Sequence, residues 1–320
     1  MTLVIIEHIW KGNIFFLHVN SKRKTLALDG EYNSCKLSLF IIITRNTILS
    51  QKDLELLEAV VLRYGKIVSS EQIQAAIGQN VSRGAARTRV AGMSKAGWLI
   101  RLKKGLYLVV TDISSLGFTD VSDLVIAQSL NLDSYISFES ALQFHNTFDQ
   151  MLARIDAVTI GKTRTYQVLK TKYAFSSVKR GLYFGFAKES INNQKVNVAD
   201  IEKAILDLLY FRSSGYTVSL VIEKLREYQD QFDFKKLKAY SIRYSLGMVR
   251  KIGFLLDQID VDTTDLFSQN QVKKNSFSKL TQDVEQFNAK WRLYYDPDLV
   301  GLANPADFKP ENTQVFTDRT

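Results

Sequence analysis

Residues 69–110 read SSEQIQAAIGQNVSRGAARTRVAGMSKAGWLIRLKKGLYLVV, and their order decides the fold. Gln72 follows Ser69 by three residues, the spacing of a capping box. There an N-cap hydroxyl and a side-chain amide satisfy each other's orphaned backbone donors. A short helix over Glu71–Ile77 is predicted to stop at Gly78-Gln79-Asn80. Ser82 then caps a second helix that runs to about Ala96, and Gly97 breaks it. On that helix Ala86, Val90 and Met93 fall at i, i+4 and i+7, one apolar stripe. Arg87, Thr88, Ala91 and Lys95 fall opposite, with Arg83 and Arg89 on the shoulders. Beyond Trp98, two apolar-rich runs flank Lys103-Lys104-Gly105, a hairpin with a basic tip. Helix, short turn, basic helix and basic hairpin is the order of a winged helix-turn-helix, whose second helix enters the major groove of DNA.

Charge supports that reading. Ser82–Gly105 holds seven basic residues and no acidic one. A merely solvated helix mixes both signs, because i,i+4 ion pairs support it and like charges do not. The net charge is +9, and Ser50–Thr111 contributes most of it, with ten Lys/Arg against four Asp/Glu. Such concentration in one module calls for a polyanionic partner there. The DNA-facing candidates are Ser82, Arg83, Arg87, Thr88, Arg89 and Lys95 on the helix, and Arg101, Lys103 and Lys104 on the hairpin. Arginine can address guanine bidentately, whereas lysine and threonine mostly position a protein on the backbone. Lys103 and Lys104 are read as phosphate contacts, against the alternative of a solvated hairpin tip.

At 320 residues the chain is long enough for two domains. Its one cysteine, Cys35, excludes a disulfide framework and a cysteine-rich metal site, and His8, His18 and His145 are far apart. The longest apolar run, Leu37–Ile43, is far below the ~18–20 residues that span a bilayer. The opening MTLVIIEHIWKGN lacks a basic start and a small-residue cleavage site, so a cytoplasmic location is the expectation.

The expected organisation is α+β, an N-terminal winged helix-turn-helix over residues 50–111 followed by a mixed α/β domain over residues 121–295. Residues 1–49 alternate apolar clusters with polar runs and read as a poorly ordered extension. Leu54–Tyr64 is a scaffolding helix with apolar positions at 54, 57, 60, 61 and 64. DISSLGFTD, residues 112–120, reads as a linker. In the second domain Val121–Leu130 and Ser137–Asn146 are expected helices, and Arg154–Ile160 and Gly181–Phe186 expected strands. Val198–Tyr210 is an amphipathic helix capped by Asp200. Leu220–Tyr228, a long Lys235–Asp257 and a weaker Ser276–Trp291 complete the helices. The tail over residues 296–320 holds all three prolines and is expected to fray.

Four segments carry a family resemblance: the basic helix running into LIRLKKGLYLV, YISFESALQFHNTFDQ, RIDAVTIGKTRTY and VNVADIEKAILDLLYF. Together, over roughly Leu54–Asp260, the chain resembles the AbiEi family, antitoxins of type IV toxin–antitoxin systems associated with abortive phage infection. The resemblance implies a winged helix that represses its own operon, through double-stranded DNA with inverted repeats. It also implies a second domain that counteracts a nucleotidyltransferase-like toxin without needing a stable complex, no catalysis and no cofactor. Residues 1–49 and the end beyond about Asp260 depart from the pattern.

Asp200, Glu202 and Asp207 share one helix, but Asp200 and Glu202 sit in the first turn, where negative charge complements the helix dipole. Asp156 before Lys162 suggests a nuclease, yet Ile160 stands where a second carboxylate would hold the metal. Lys162 and Arg164 read instead as a basic turn able to touch nucleic acid or a partner. His145 near Glu139 is read as structural, and Tyr173, Phe175, Tyr183, Phe184 and Phe186 as core. Neither a G-x-x-x-x-G-K-[ST] loop nor a G-x-S-x-G elbow is present. The competing functions are a plain winged-helix regulator with an unrelated sensor domain, and a winged-helix nuclease.

Overall fold

The computed structural model describes strand segments 7–10, 13–16, 18–19 and 26–27 and residues 49–78, 81–111, 121–271, 276–282 and 284–301. The chain divides into Met1–Leu54 and Glu55–Thr320. In the first unit two short strand pairs are described. β1 (Glu7–Trp10) runs antiparallel to β2 (Asn13–Phe16), and β3 (His18–Val19) antiparallel to β4 (Leu26–Ala27). The rest of the expected extension, including Cys35 and Leu37–Ile43, lies outside the described residues, as do the linker 112–120 and tail residues 302–320.

α1 (Gln51–Tyr64) runs across this division and starts three residues earlier than the apolar spacing predicts. Ser50 makes the difference: its Oγ accepts the Asp53 N–H at 3.2 Å, a cap worth ~1 kcal/mol. The buried stripe is Leu56, Leu57 and Val60, and Leu54 is 54% exposed. Both stripes have helical period, and packing selects between them.

β5 (Ile67–Ser69) leads into α2 (Ser70–Ile77), with both halves of the capping box formed. Gln72 N–H donates to Ser69 Oγ at 3.1 Å, and Ser69 N–H donates to Gln72 Oε1 at 2.7 Å. α3 (Arg83–Lys95) starts at Ser82, whose Oγ accepts the Ala85 N–H at 3.2 Å, and buries Ala86, Val90 and Met93 as its spacing predicts. β6 (Leu99–Lys103) and β7 (Leu106–Val109) form the basic-tipped hairpin, turned at Gly105 with φ +76°. β7 also pairs with β5, giving a three-stranded antiparallel sheet in the order β5-β7-β6.

The rest is built on a six-stranded mixed sheet in the order β10-β11-β9-β8-β13-β12. Its strands are β8 (Ser134–Ile136), β9 (Arg154–Thr159), β10 (Arg164–Val168), β11 (Thr171–Ser177), β12 (Phe186–Ile191) and β13 (Gln194–Ala199). β11/β9 and β13/β8 are parallel, and the other pairs antiparallel. Helices α4 (Asp123–Leu130), α5 (Phe138–Phe144), α6 (Ile201–Phe211), α7 (Gly215–Glu227), α8 (Phe234–Tyr244), α9 (Leu246–Asp257) and α10 (Thr264–Asn270) follow in chain order. A small sheet, β14 (Ser278–Lys279), β15 (Gln286–Asn288) and β16 (Leu293–Tyr295), packs on α9, and α11 (Pro297–Gly301) ends the described chain. The architecture is mixed α+β. Leu102 and Leu108 of the hairpin belong to the same apolar core as the six-stranded sheet and its helices.

Several expectations need correction. Lys235–Asp257 is two helices, because Ser245 is fully extended (φ −177°) and its Oγ caps α9 through the Met248 N–H at 3.2 Å. Ser276–Trp291 is strand and turn rather than helix: its strands join the small sheet on α9, with Leu280 and Trp291 buried. In Gly181–Phe186 a 3₁₀ turn over Arg180–Leu182 precedes the strand, which starts only at Phe186. Val198 and Ala199 end β13, and α6 begins at Ile201. Asp200 stands at the N-cap position without capping, since its carboxylate binds Lys236 Nζ at 2.8 Å and accepts the Tyr240 hydroxyl. Ser137 likewise makes no cap bond, its hydroxyl being donated inward to Asp207.

One close approach fixes α9 against the last sheet. A Cβ built on Gly253 would lie 2.2–2.5 Å from three ring atoms of Trp291, which is fully buried. Gly253→Ala is therefore expected to destabilise the fold by about 1–3 kcal/mol through overpacking. Urea denaturation followed by circular dichroism would register this as a lowered midpoint at unchanged slope.

Candidate nucleic-acid interface

The apolar stripe of α3 faces inward, which turns its other side to solvent. Ser82, Arg83, Arg87, Thr88 and Lys95 are exposed and Arg89 is half-buried. The Thr88 hydroxyl donates back to the Gly84 carbonyl at 3.1 Å and keeps its lone pairs for an outside donor. On the hairpin Arg101 and Lys104 are exposed.

Lys103 behaves differently. Its Nζ donates to the carbonyls of Leu130 at 2.8 Å and Ser129 at 3.3 Å, at the C-terminal end of α4. A cation there meets both unsatisfied carbonyls and the negative end of the helix dipole. Lys103 thus straps the hairpin to the second part of the unit, and the expectation of a phosphate contact fits Lys104 better.

The strap brings two separately read groups together. Strand β10 lies beside β6, so the turn before it stands next to the hairpin tip. Lys103, Lys104, Lys162 and Arg164 line one open cleft of about 650 Å³ with Asn131, Tyr166, Leu130 and Gly161. Among the described residues, four cations and no carboxylate line it. Lys162 and Arg164 are exposed, as is Lys104. Asn131 and Tyr166 were missed by sequence reasoning, because nothing local links residues 103–104 to 161–166; only the sheet topology does.

Asp156, Glu202 and Asp207 are held in ion pairs. Asp207 and Lys203, one turn apart on α6, form an ion pair at 2.7 Å with both side chains fully buried. Asp207 Oδ1 also accepts the Tyr244 hydroxyl, and Oδ2 accepts Tyr135 at 3.0 Å and Ser137 at 2.7 Å. Burial lowers the Lys203 ammonium from its ordinary value, and the Asp207 charge opposes that. Burial, then the Asp207 charge, raises the Tyr135 and Tyr244 hydroxyls, so both remain donors. Glu202 meets Lys236 at 3.2 Å and accepts the Asp233 N–H at 2.9 Å. Asp156 pairs with Arg154 at 2.8 Å and Arg212 at 3.2 Å, not with Lys162, and Arg212 also holds Glu139. His145 Nε2 bonds the Ala199 carbonyl at 2.8 Å. Tyr173 and Phe175 are buried, and Tyr183, Phe184 and Phe186 pack against the core.

Among the described residues no group of three His, Cys, Asp or Glu could hold a metal ion, and no helix is long and apolar enough to cross a membrane. No family model and no curated protein matches the chain. Among solved structures it is similar to the crystal structure of the RV2827C protein from Mycobacterium tuberculosis. The two share 10% identity at a TM-score of 0.56, over 78% of this chain and 92% of that one. At such identity the likeness concerns the fold alone.

The Lys203–Asp207 pair sets a further expectation. Asp207→Asn leaves a buried ammonium uncompensated and should cost about 3–5 kcal/mol, whereas the double change with Lys203→Met should cost less than the single one. A double-mutant cycle in urea measures the difference; a double cost equal to the sum of the two single costs would show that the two charges act independently.

Proposed function

We propose that the chain is a DNA-binding regulator in which residues 50–111 act as a winged helix-turn-helix, with α3 in the major groove and the β6–β7 hairpin as the wing. The observation that carries this reading is the face of α3. Arg83, Arg87 and Lys95 all project to solvent opposite Ala86, Val90 and Met93, and no acidic residue lies between Ser82 and Gly105. A helix held by one stripe and basic on the other can sit in a groove without loss of its own packing. Lys104, Lys162 and Arg164 extend the positive surface beside the wing, where phosphates of the same duplex would run.

The resemblance to the AbiEi antitoxins supplies the biological setting. In that setting the chain represses its own operon and counteracts a nucleotidyltransferase-like toxin as a binding protein, with no catalytic step assigned to it. The pairing of Asp156 with two arginines supports this over a nuclease. Because the wing shares its core with the rest of the unit, the two roles are best separated by point changes rather than by cutting the chain.

Arg83→Ala with Arg87→Ala should lower affinity for a duplex carrying the chain's own promoter by about thirtyfold or more, from the ~1–3 kcal/mol each base contact is worth, with unchanged unfolding behaviour. Retained wild-type affinity in a gel shift would remove α3 from the interface. Lys162→Ala with Arg164→Ala should make the plot of log affinity against log salt shallower by about 0.9 per lost phosphate contact. The α3 variant, co-expressed with the nucleotidyltransferase encoded alongside, should still restore growth; continued arrest would tie protection to DNA binding.

A further inference from the structure

The cleft between the hairpin and β10 has a property that a surface for duplex phosphates does not require: both of its walls are tied down. On the sheet side Thr159 is buried. Its Oγ1 donates to the Asp133 carbonyl at 2.8 Å and accepts the Asn131 amide at 2.9 Å and the Gly161 N–H at 3.0 Å. Thr163 Oγ1 accepts the Ser177 N–H at 3.1 Å, so the turn bearing Lys162 and Arg164 is pinned at two points. On the other side Lys103 grips the end of α4, which holds the hairpin tip and Lys104 with it. An ammonium has three donors; two are spent on α4, and the third has no partner among the described residues. Lys104, Lys162, Arg164 and the Tyr166 hydroxyl likewise make no ion pair or hydrogen bond among the described residues.

Like charges gathered in one concave space repel one another, and an anion that enters relieves the repulsion. The volume, about 650 Å³, is that of a small-ligand site, and a duplex would meet the cleft only at its rim. Arg164 offers a planar fork that matches phosphate oxygens, and the lysines add point charge. A chain of phosphates concentrates comparable negative charge in one small ligand, able to reach both walls at once. We propose that this cleft binds a small polyphosphate, free or as part of a nucleotide, held by Lys104, Lys162 and Arg164 with the Tyr166 hydroxyl donating to a further oxygen. A regulatory consequence rests on the duplex reading: the same three cations cannot serve both, so the polyphosphate loosens the chain from its duplex.

Isothermal titration calorimetry of the full chain with inorganic triphosphate should show one saturable site. Lys162→Ala with Arg164→Ala should weaken it about tenfold or more, and Tyr166→Phe, which removes the hydroxyl alone, about threefold. Lys162 and Arg164 are exposed, so the urea midpoint of that variant should stay near wild type. Arg83→Ala with Arg87→Ala lies outside the cleft and should leave the affinity unchanged. Equal weakening by the two pairs would make the ligand a visitor to basic surface in general and overturn the proposal, as would absence of binding. ATP in the same titration separates the two sources: equal affinity assigns recognition to the phosphates alone, and tighter binding adds the nucleoside. In a gel shift, triphosphate should release the promoter duplex from the wild-type chain. A chain that shifts the duplex but gives no heat with triphosphate loses this site and keeps the duplex reading. One that binds triphosphate but no duplex keeps the site and loses that reading.

Discussion

The larger part of the molecule depends on one fully buried ion pair. Lys203 and Asp207 sit at successive turns of α6, but the Asp207 carboxylate also collects hydroxyls from β8, from the residue before α5 and from α8. Taking two charges out of water is costly, and in the interior only a full set of partners offsets that. The set is complete: among the described residues no buried side-chain nitrogen or oxygen lacks a hydrogen-bond partner. The Lys203 ammonium also lies 4.7–5.2 Å from the ring centres of Tyr244, Phe184 and Tyr135. One register of α6 on the sheet satisfies all of these groups, and a slip by one residue would strand them.

A second cation does for the hairpin what Lys203 does for the sheet. Lys103 closes the end of α4 while Leu102 and Leu108 enter the common core, so a basic tip becomes half anchor and half exposed surface. The division is set by register. A bulge between Arg101 and Lys103 turns Lys103 toward α4, while Arg101 remains in solvent opposite Tyr107.

What was legible in the sequence was local. The capping box at Ser69, the Ser82 cap and the Ala86/Val90/Met93 stripe each depend on residues within two turns, and all formed as read. The exposed basic face of α3 follows from that stripe by periodicity alone. Failures came where distant groups decided. Near Ser245 the sequence offers only its own hydroxyl and Gly247 as signs of a break, yet its extended backbone ends α8 and its hydroxyl starts α9. Lys238 and Arg250, whose charges alone suggest solvent, are buried against Asp265 and Asn270 respectively. Asp200 and Ser137 had the right positions to cap but found better partners across the fold. In the sequence the cleft beside the β6–β7 hairpin is legible only as two unconnected basic turns, which the contact of β10 with β6 joins.

The shared core of hairpin and sheet bears on how such a chain can be taken apart. A segment cut out at residues 50–111 would carry Leu102 and Leu108 uncovered and leave Lys103 with no helix end to grip. The surface it displays is therefore not a portable cassette: whatever changes the seat of α4 on its sheet also re-aims the hairpin beside it.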